Sequence, residues 1–110
     1  MAWNVELERE VGEWLGSLTA EQQGRVAFYL DLLAEKGVLV DFPYTSQLRG
    51  KLRELRFHLG REQQRITDYA ASGRRIVMLT VFRKTKRREQ AETDRAEAAM
   101  QTHMERDRRR

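Results

Sequence analysis

Leu52-Arg53-Glu54-Leu55-Arg56-Phe57-His58-Leu59, Gln63-Gln64-Arg65-Ile66-Thr67-Asp68-Tyr69 and Arg75-Ile76-Val77-Met78-Leu79-Thr80-Val81-Phe82 decide the fold. The first stretch has a period of two. Leu52, Glu54, Arg56 and His58 fall on one face of a strand, and Arg53, Leu55, Phe57 and Leu59 on the other. Gly60 ends it. The second reads as a strand that places Arg65, Thr67 and Tyr69 together. Ala70-Ala71-Ser72-Gly73 supplies a hairpin turn. The third is nearly continuous in apolar residues, as a central strand buried on both faces is. Three successive strands joined by short turns make an antiparallel meander.

Upstream, Trp3 to Leu7 alternates like a short strand. Val11, Trp14, Leu15 and Leu18 then fall at i, i+3, i+4, i+7, the apolar face of a helix. Thr19-Ala20-Glu21-Gln22 fits a capping box, which starts a second helix running to about Lys36. Val26, Tyr29, Leu30 and Leu33 are its buried positions, and Gly37 is its stop. Asp41-Phe42-Pro43-Tyr44 reads as a loop. Downstream, residues 89–105 read as a third helix with a thin stripe of Ala96, Ala99, Met100 and His103, and residues 108–110 as a frayed tail. The order β-α-α-β-β-β-α predicts an α+β fold. In it an N-terminal strand and an antiparallel helical hairpin pack on one face of the meander, with a helix at the C-terminal end. The opposite sheet face is left open and solvated.

The 110 residues suit one domain spanning 1–110. Without cysteine, disulfides, thiolate metal sites and a thiol nucleophile are excluded. No apolar run approaches the roughly 20 residues of a membrane span, and Met1 to Glu6 lacks a signal-peptide pattern, so a cytoplasmic protein with no membrane partner is expected.

Charge is unevenly distributed. Residues 1–45 carry net −5, residues 46–88 net +10 and residues 89–110 net −1. A segment as basic as the middle one suits a polyanion, and 17 of the 21 basic residues are arginines, whose planar fork matches phosphate. An arginine-rich solvated surface is the plainer reading. His58 and His103 are the two histidines, neither in a ligand-spaced cluster, so neither metal nor cofactor is expected. No phosphate-binding glycine loop or nucleophile elbow appears. Glu54 and Asp68 are the carboxylates placed to pair as acid and base, although two carboxylates in a meander are commonplace.

The arginines remain. With Leu55, Phe57 and Leu59 packed on the helices, Arg56 points to the open face, Arg65 lies in the next strand, and Arg83, Lys84, Lys86, Arg87 and Arg88 follow the last. Such cations suit cleavage of RNA, which carries its own nucleophile, the 2′-hydroxyl. The protein need only align it and neutralise the phosphorane. Simple ion pairing of Arg56 and Arg65 with Glu54 explains the same residues equally well.

Leu48-Arg49-Gly50-Lys51-Leu52-Arg53-Glu54-Leu55-Arg56-Phe57 resembles the Leu-x-Gly-x-Leu-x-Glu-Leu-Arg segment of HigB-type toxins, in the RelE/ParE superfamily of bacterial type II toxin–antitoxin systems. Gln64 to Tyr69 and Ser72 to Lys86 resemble the strands that follow, and Asp94-Arg95-Ala96 the closing helix. The resemblance implies a metal-independent endoribonuclease that cuts mRNA at the ribosome and is silenced by a cognate antitoxin, a helix-turn-helix DNA-binding protein. It implies that Arg65 is the central phosphate-binding arginine and that Arg56, Lys84 and Lys86 are catalytic. Arg53, Glu54, Arg83, Arg87 and Arg88 are then RNA contacts. No tyrosine follows Tyr69, so His103 is either a general acid–base or a core-facing residue of the last helix. A ParE-like inhibitor of DNA gyrase and a non-catalytic RNA-binding domain share the fold and stand as alternatives.

Overall fold

The computed structural model describes residues 2–40, 44–84 and 89–109. Strand β1 (Asn4–Leu7) leads into helices α1 (Arg9–Gly16) and α2 (Ala20–Lys36), a 3-10 turn (Gly37–Leu39) and strands β2 (Thr45–Arg49), β3 (Leu52–Leu59), β4 (Glu62–Ala71) and β5 (Arg75–Arg83). Helix α3 (Glu89–Arg108) closes the chain. One five-stranded sheet has the order β1-β5-β4-β3-β2, with β1 parallel to β5 and every other pair antiparallel. No described helix is long and apolar enough to cross a membrane.

The start of α2 follows its local chemistry. The Thr19 hydroxyl accepts from the Gln22 amide at 3.2 Å, and the Gln22 side chain accepts from the Thr19 amide at 3.0 Å. Gly37 ends the helix at φ 56°. A Cβ there would lie 2.2 Å from the Trp3 ring, so glycine lets the side chain just before β1 pack against the end of α2.

Helices α1 and α2 cover one sheet face. Val11, Val26 and Leu33 meet Leu55, Phe57, Ile66, Ile76 and Met78 in the larger core. The other face is not open as expected. Helix α3 lies across it, packing Ala96 and Met100 on Leu52, Tyr69, Val77 and Leu79. The apolar run of β5 demands this: a strand with Ile76 and Met78 on one side and Val77 and Leu79 on the other needs cover on both. Arg75–Asp107 (2.5 Å), Arg95–Glu10 (2.5 Å) and Arg106–Glu8 ion pairs tie the helix to its surroundings.

Three further details depart from the sequence reading. Residues Thr45–Arg49 form an additional edge strand on β3. The β4–β5 turn is Ser72-Gly73-Arg74, because Ala70 and Ala71 stay paired with Ile76 and Arg75. Arg108 is still helical.

Candidate functional site

Strand alternation sorts the candidate residues between the two faces. Glu54 pairs in register with Thr67 and Arg56 with Arg65, which places all four on the α3 side. Arg53 pairs with Asp68 on the side of α1 and α2. Glu54 and Asp68 therefore lie on opposite faces and do not act as a pair.

The cluster forms where α3 begins. Arg65 is 8% exposed and Glu54 2%. The Arg65 Nη1 lies 3.4 Å from Glu54 Oε1 and 2.9 Å from Oε1 of Glu89, the first residue of α3. Its Nη2 reaches Gln63 Oε1 at 3.5 Å. Its Nε is buried with no hydrogen-bond partner among the described residues. Arg56 Nε sits 3.9 Å from Glu54 Oε1, and the Ser46 hydroxyl donates to the same oxygen at 3.3 Å. Burial pushes the Glu54 carboxyl above the usual range, and Arg65, Arg56 and Ser46 pull it back toward the ionised form. An ionised Glu54 in turn holds two guanidinium groups at the sheet surface.

The remaining sequence candidates scatter. Arg53 donates to the Val40 carbonyl at 3.1 Å, away from the cluster. Arg83 is exposed and paired with Glu62. Lys84 is exposed just beyond β5, and its amide donates to the Gln63 carbonyl at 2.9 Å. Lys86, Arg87 and Arg88 lie outside the described residues. His103 is a buried residue of α3, its Nδ1 2.5 Å from the Tyr69 hydroxyl. That is the core-facing position, on the far part of the face from Arg65. Among the described residues no group of three or more His, Asp or Glu side chains could hold a metal.

Sequence reasoning missed Glu89 and Tyr44. Glu89 is contributed by tertiary packing of α3. Tyr44 stands directly before β2, and its carbonyl accepts from the Arg56 amide at 2.7 Å. Tyr44 is 42% exposed and its ring centroid is 5.8 Å from that of Tyr29.

A sheet with two helices on one face, a closing helix on the other and an arginine–carboxylate cluster at the margin of that helix defines the class: the fold is that of the RelE toxins. It matches a chain of the archaeal RelE–RelB complex from Pyrococcus horikoshii OT3, with a TM-score of 0.57 and 20% identity over 78% of this chain and 99% of that one. It also matches a doubly substituted mutant of E. coli toxin RelE in the free state, with a TM-score of 0.61 and 12% identity over 93% of this chain and 98% of that one. Residues 13–101 match the family profile described as phage derived protein Gp49-like (DUF891), and the chain belongs to that family. No curated protein sequence matches.

Proposed function

We propose that this protein is the toxin of a type II toxin–antitoxin pair, a HigB-like endoribonuclease that cuts mRNA at the ribosome. The observation that carries the reading is Arg65. A nearly buried guanidinium lies between one fixed carboxylate, Glu54, and one half-exposed carboxylate, Glu89, and its Nε has no hydrogen-bond partner among the described residues. A phosphodiester entering there replaces Glu89 as the anion on Arg65, with Arg56 beside it. Glu54 stays behind as the positioning group.

The chemistry needs little else. The RNA 2′-oxygen attacks the adjacent phosphorus and its proton passes to a base. The P–O5′ bond then breaks, leaving a 2′,3′-cyclic phosphate and a 5′-hydroxyl that takes up a proton. Charge at the non-bridging oxygens grows toward the transition state, where a preset guanidinium gains most. Lys84 and, on the resemblance, Lys86 extend the cationic surface, and Arg83, Arg87 and Arg88 would follow the RNA backbone. The reaction runs without metal. An antitoxin partner fits the apolar side chains Phe28, Val38 and Leu39, which α2 and the turn after it leave exposed.

Pulse expression in a bacterium tests this, with transcript 5′ ends mapped for the wild type and Arg65→Lys. The lysine keeps a charge beside Glu54 but loses the fork, so cleavage should fall about 10²- to 10³-fold. DNA damage with intact transcripts would move the protein to the gyrase-inhibitor class.

A further inference from the structure

The sheet edge next to the Arg65 cluster carries a second feature. Pairing of β2 with β3 ends at Thr45 and Leu55, and the Arg56 amide makes the next bond to Tyr44. Beyond it, among the described residues, Phe57 to Leu59 have β4 on one side and no strand on the other. A cavity of about 400 Å³ opens there, between this edge and α2. Tyr29, Tyr44, Arg25, Arg56, His58 and Gln63 line it. Its volume lies in the range of small-ligand sites.

The aromatic groups are graded from core to surface. Phe57 is 4% exposed and stacks on Tyr29 with centroids 4.9 Å apart and planes 21° from parallel. Tyr29 in turn meets Tyr44, which is exposed at the mouth. The outermost ring is thus backed by two others, the arrangement of a stacking platform. Around it stand two guanidinium groups, an imidazole and an amide, which offer donors and acceptors at the rim. Arg56 belongs to both places: it lines this cavity and approaches Glu54 in the cluster. A ligand chain with a planar ring one step from an anionic linkage fits both at once.

We propose that this cavity holds one unpaired nucleobase of single-stranded RNA, stacked on Tyr44, while Arg56 holds the phosphate joining that nucleotide to the Arg65 cluster. The inference rests on the nuclease reading above and adds to it a base-binding subsite. His58 and Gln63 face the edge of the base and set which bases are favoured. Stacking accepts every base to some degree, so the preference is graded rather than absolute.

Binding of 2′-O-methyl oligoribonucleotides, which lack the attacking hydroxyl, tests the subsite without cleavage. One oligonucleotide carries 2-aminopurine at the candidate position and another has an abasic residue there. Wild-type protein should quench the 2-aminopurine. Tyr44→Ala should abolish the quenching and weaken binding roughly 5- to 150-fold, the range for losing one base–aromatic stack. Tyr44→Phe, which keeps the ring, should bind within about 3-fold of wild type. On the abasic oligonucleotide Tyr44→Ala and wild type should bind alike, which separates loss of stacking from damage to the fold. The salt dependence of Tyr44→Ala should match wild type, because no phosphate contact is removed. Arg56→Ala should lower the log–log slope by about 0.7. If Tyr44→Ala binds the intact oligonucleotide as wild type does, or loses equally on the abasic one, the subsite is refuted. The nuclease reading then survives, provided that Arg65→Lys still loses transcript cleavage. Failure of wild-type protein to bind any of these RNAs at low salt refutes the subsite, while the nuclease reading stands or falls on the transcript mapping.

Discussion

Two buried carboxylates sit one register step apart on opposite faces of the same sheet, and they are treated differently. Glu54, facing α3, has Arg65, Arg56 and Ser46 around it. Asp68, facing α1 and α2, has neither oxygen hydrogen-bonded among the described residues. Its register neighbour Arg53 donates to the Val40 carbonyl. Burial raises both carboxyl groups, and Asp68 reaches about 7. Desolvation of a carboxylate can be offset by cations or avoided by keeping the proton. The α3 face takes the first course, and so acquires guanidinium groups held in place at its margin. The hairpin face takes the second and stays a core.

The strongest way to break this contrast is Arg65→Ala. It strands Glu54 in the interior with its nearest full charge partner gone, and stability should fall by about 3–5 kcal/mol in urea denaturation. Adding Glu54→Gln to the same chain should restore much of the loss. Full stability of Arg65→Ala alone would mean that Glu54 does not depend on the pairing.

On the other face, Asp68→Asn should act in the opposite direction. The folded state holds the Asp68 proton up to about pH 7, whereas the ordinary carboxyl value is 3.8. Between those values the native state binds more protons than the unfolded chain, so this group makes stability fall as pH rises. Asp68→Asn should flatten that part of the profile. Its advantage over wild type should be roughly 2–4 kcal/mol larger at pH 8 than at pH 4, read from denaturation across the range. A parallel pair of profiles would show that Asp68 is solvated or paired after all.

The smallest effect sharpens the role of the outer carboxylate. If Glu89 occupies the position a phosphate takes, Glu89→Gln should tighten RNA binding about 2- to 5-fold, a size set by its half-exposed setting. Titration of a 2′-O-methyl oligonucleotide measures it. Unchanged affinity would separate Glu89 from the anion site.

Local chemistry made some of this legible in the sequence. Thr19 and Gln22 announce the start of α2, and the faces of β3 and β4 follow from their alternation. Strand β2 was hidden because Thr45-Ser46-Gln47 has no apolar period: it is an edge strand, held by backbone bonds to β3. The cover over β5 was implicit in its two-sided apolar run, yet the thin stripe of α3 did not say where that helix would lie. For the site, alternation places Glu54, Arg56 and Arg65 together. Nothing local brings Glu89 to Arg65 or Tyr44 to Arg56, since both approaches are made by packing of segments whose own sequence is polar or irregular.

The parallel pairing of β1 with β5 has a consequence for the order of assembly. Leu7 finds its partner only at Met78, so the first strand has no sheet to join until nearly three quarters of the described chain has been synthesised. The hairpins β2–β3, β3–β4 and β4–β5 close short loops, whereas docking β1 closes a long one, and long-range closures slow folding. In the described chain the acidic segment that carries β1 precedes the basic strands that β1 must join. Of all the strand pairings in the sheet, that of β1 with β5 joins residues farthest apart in the sequence.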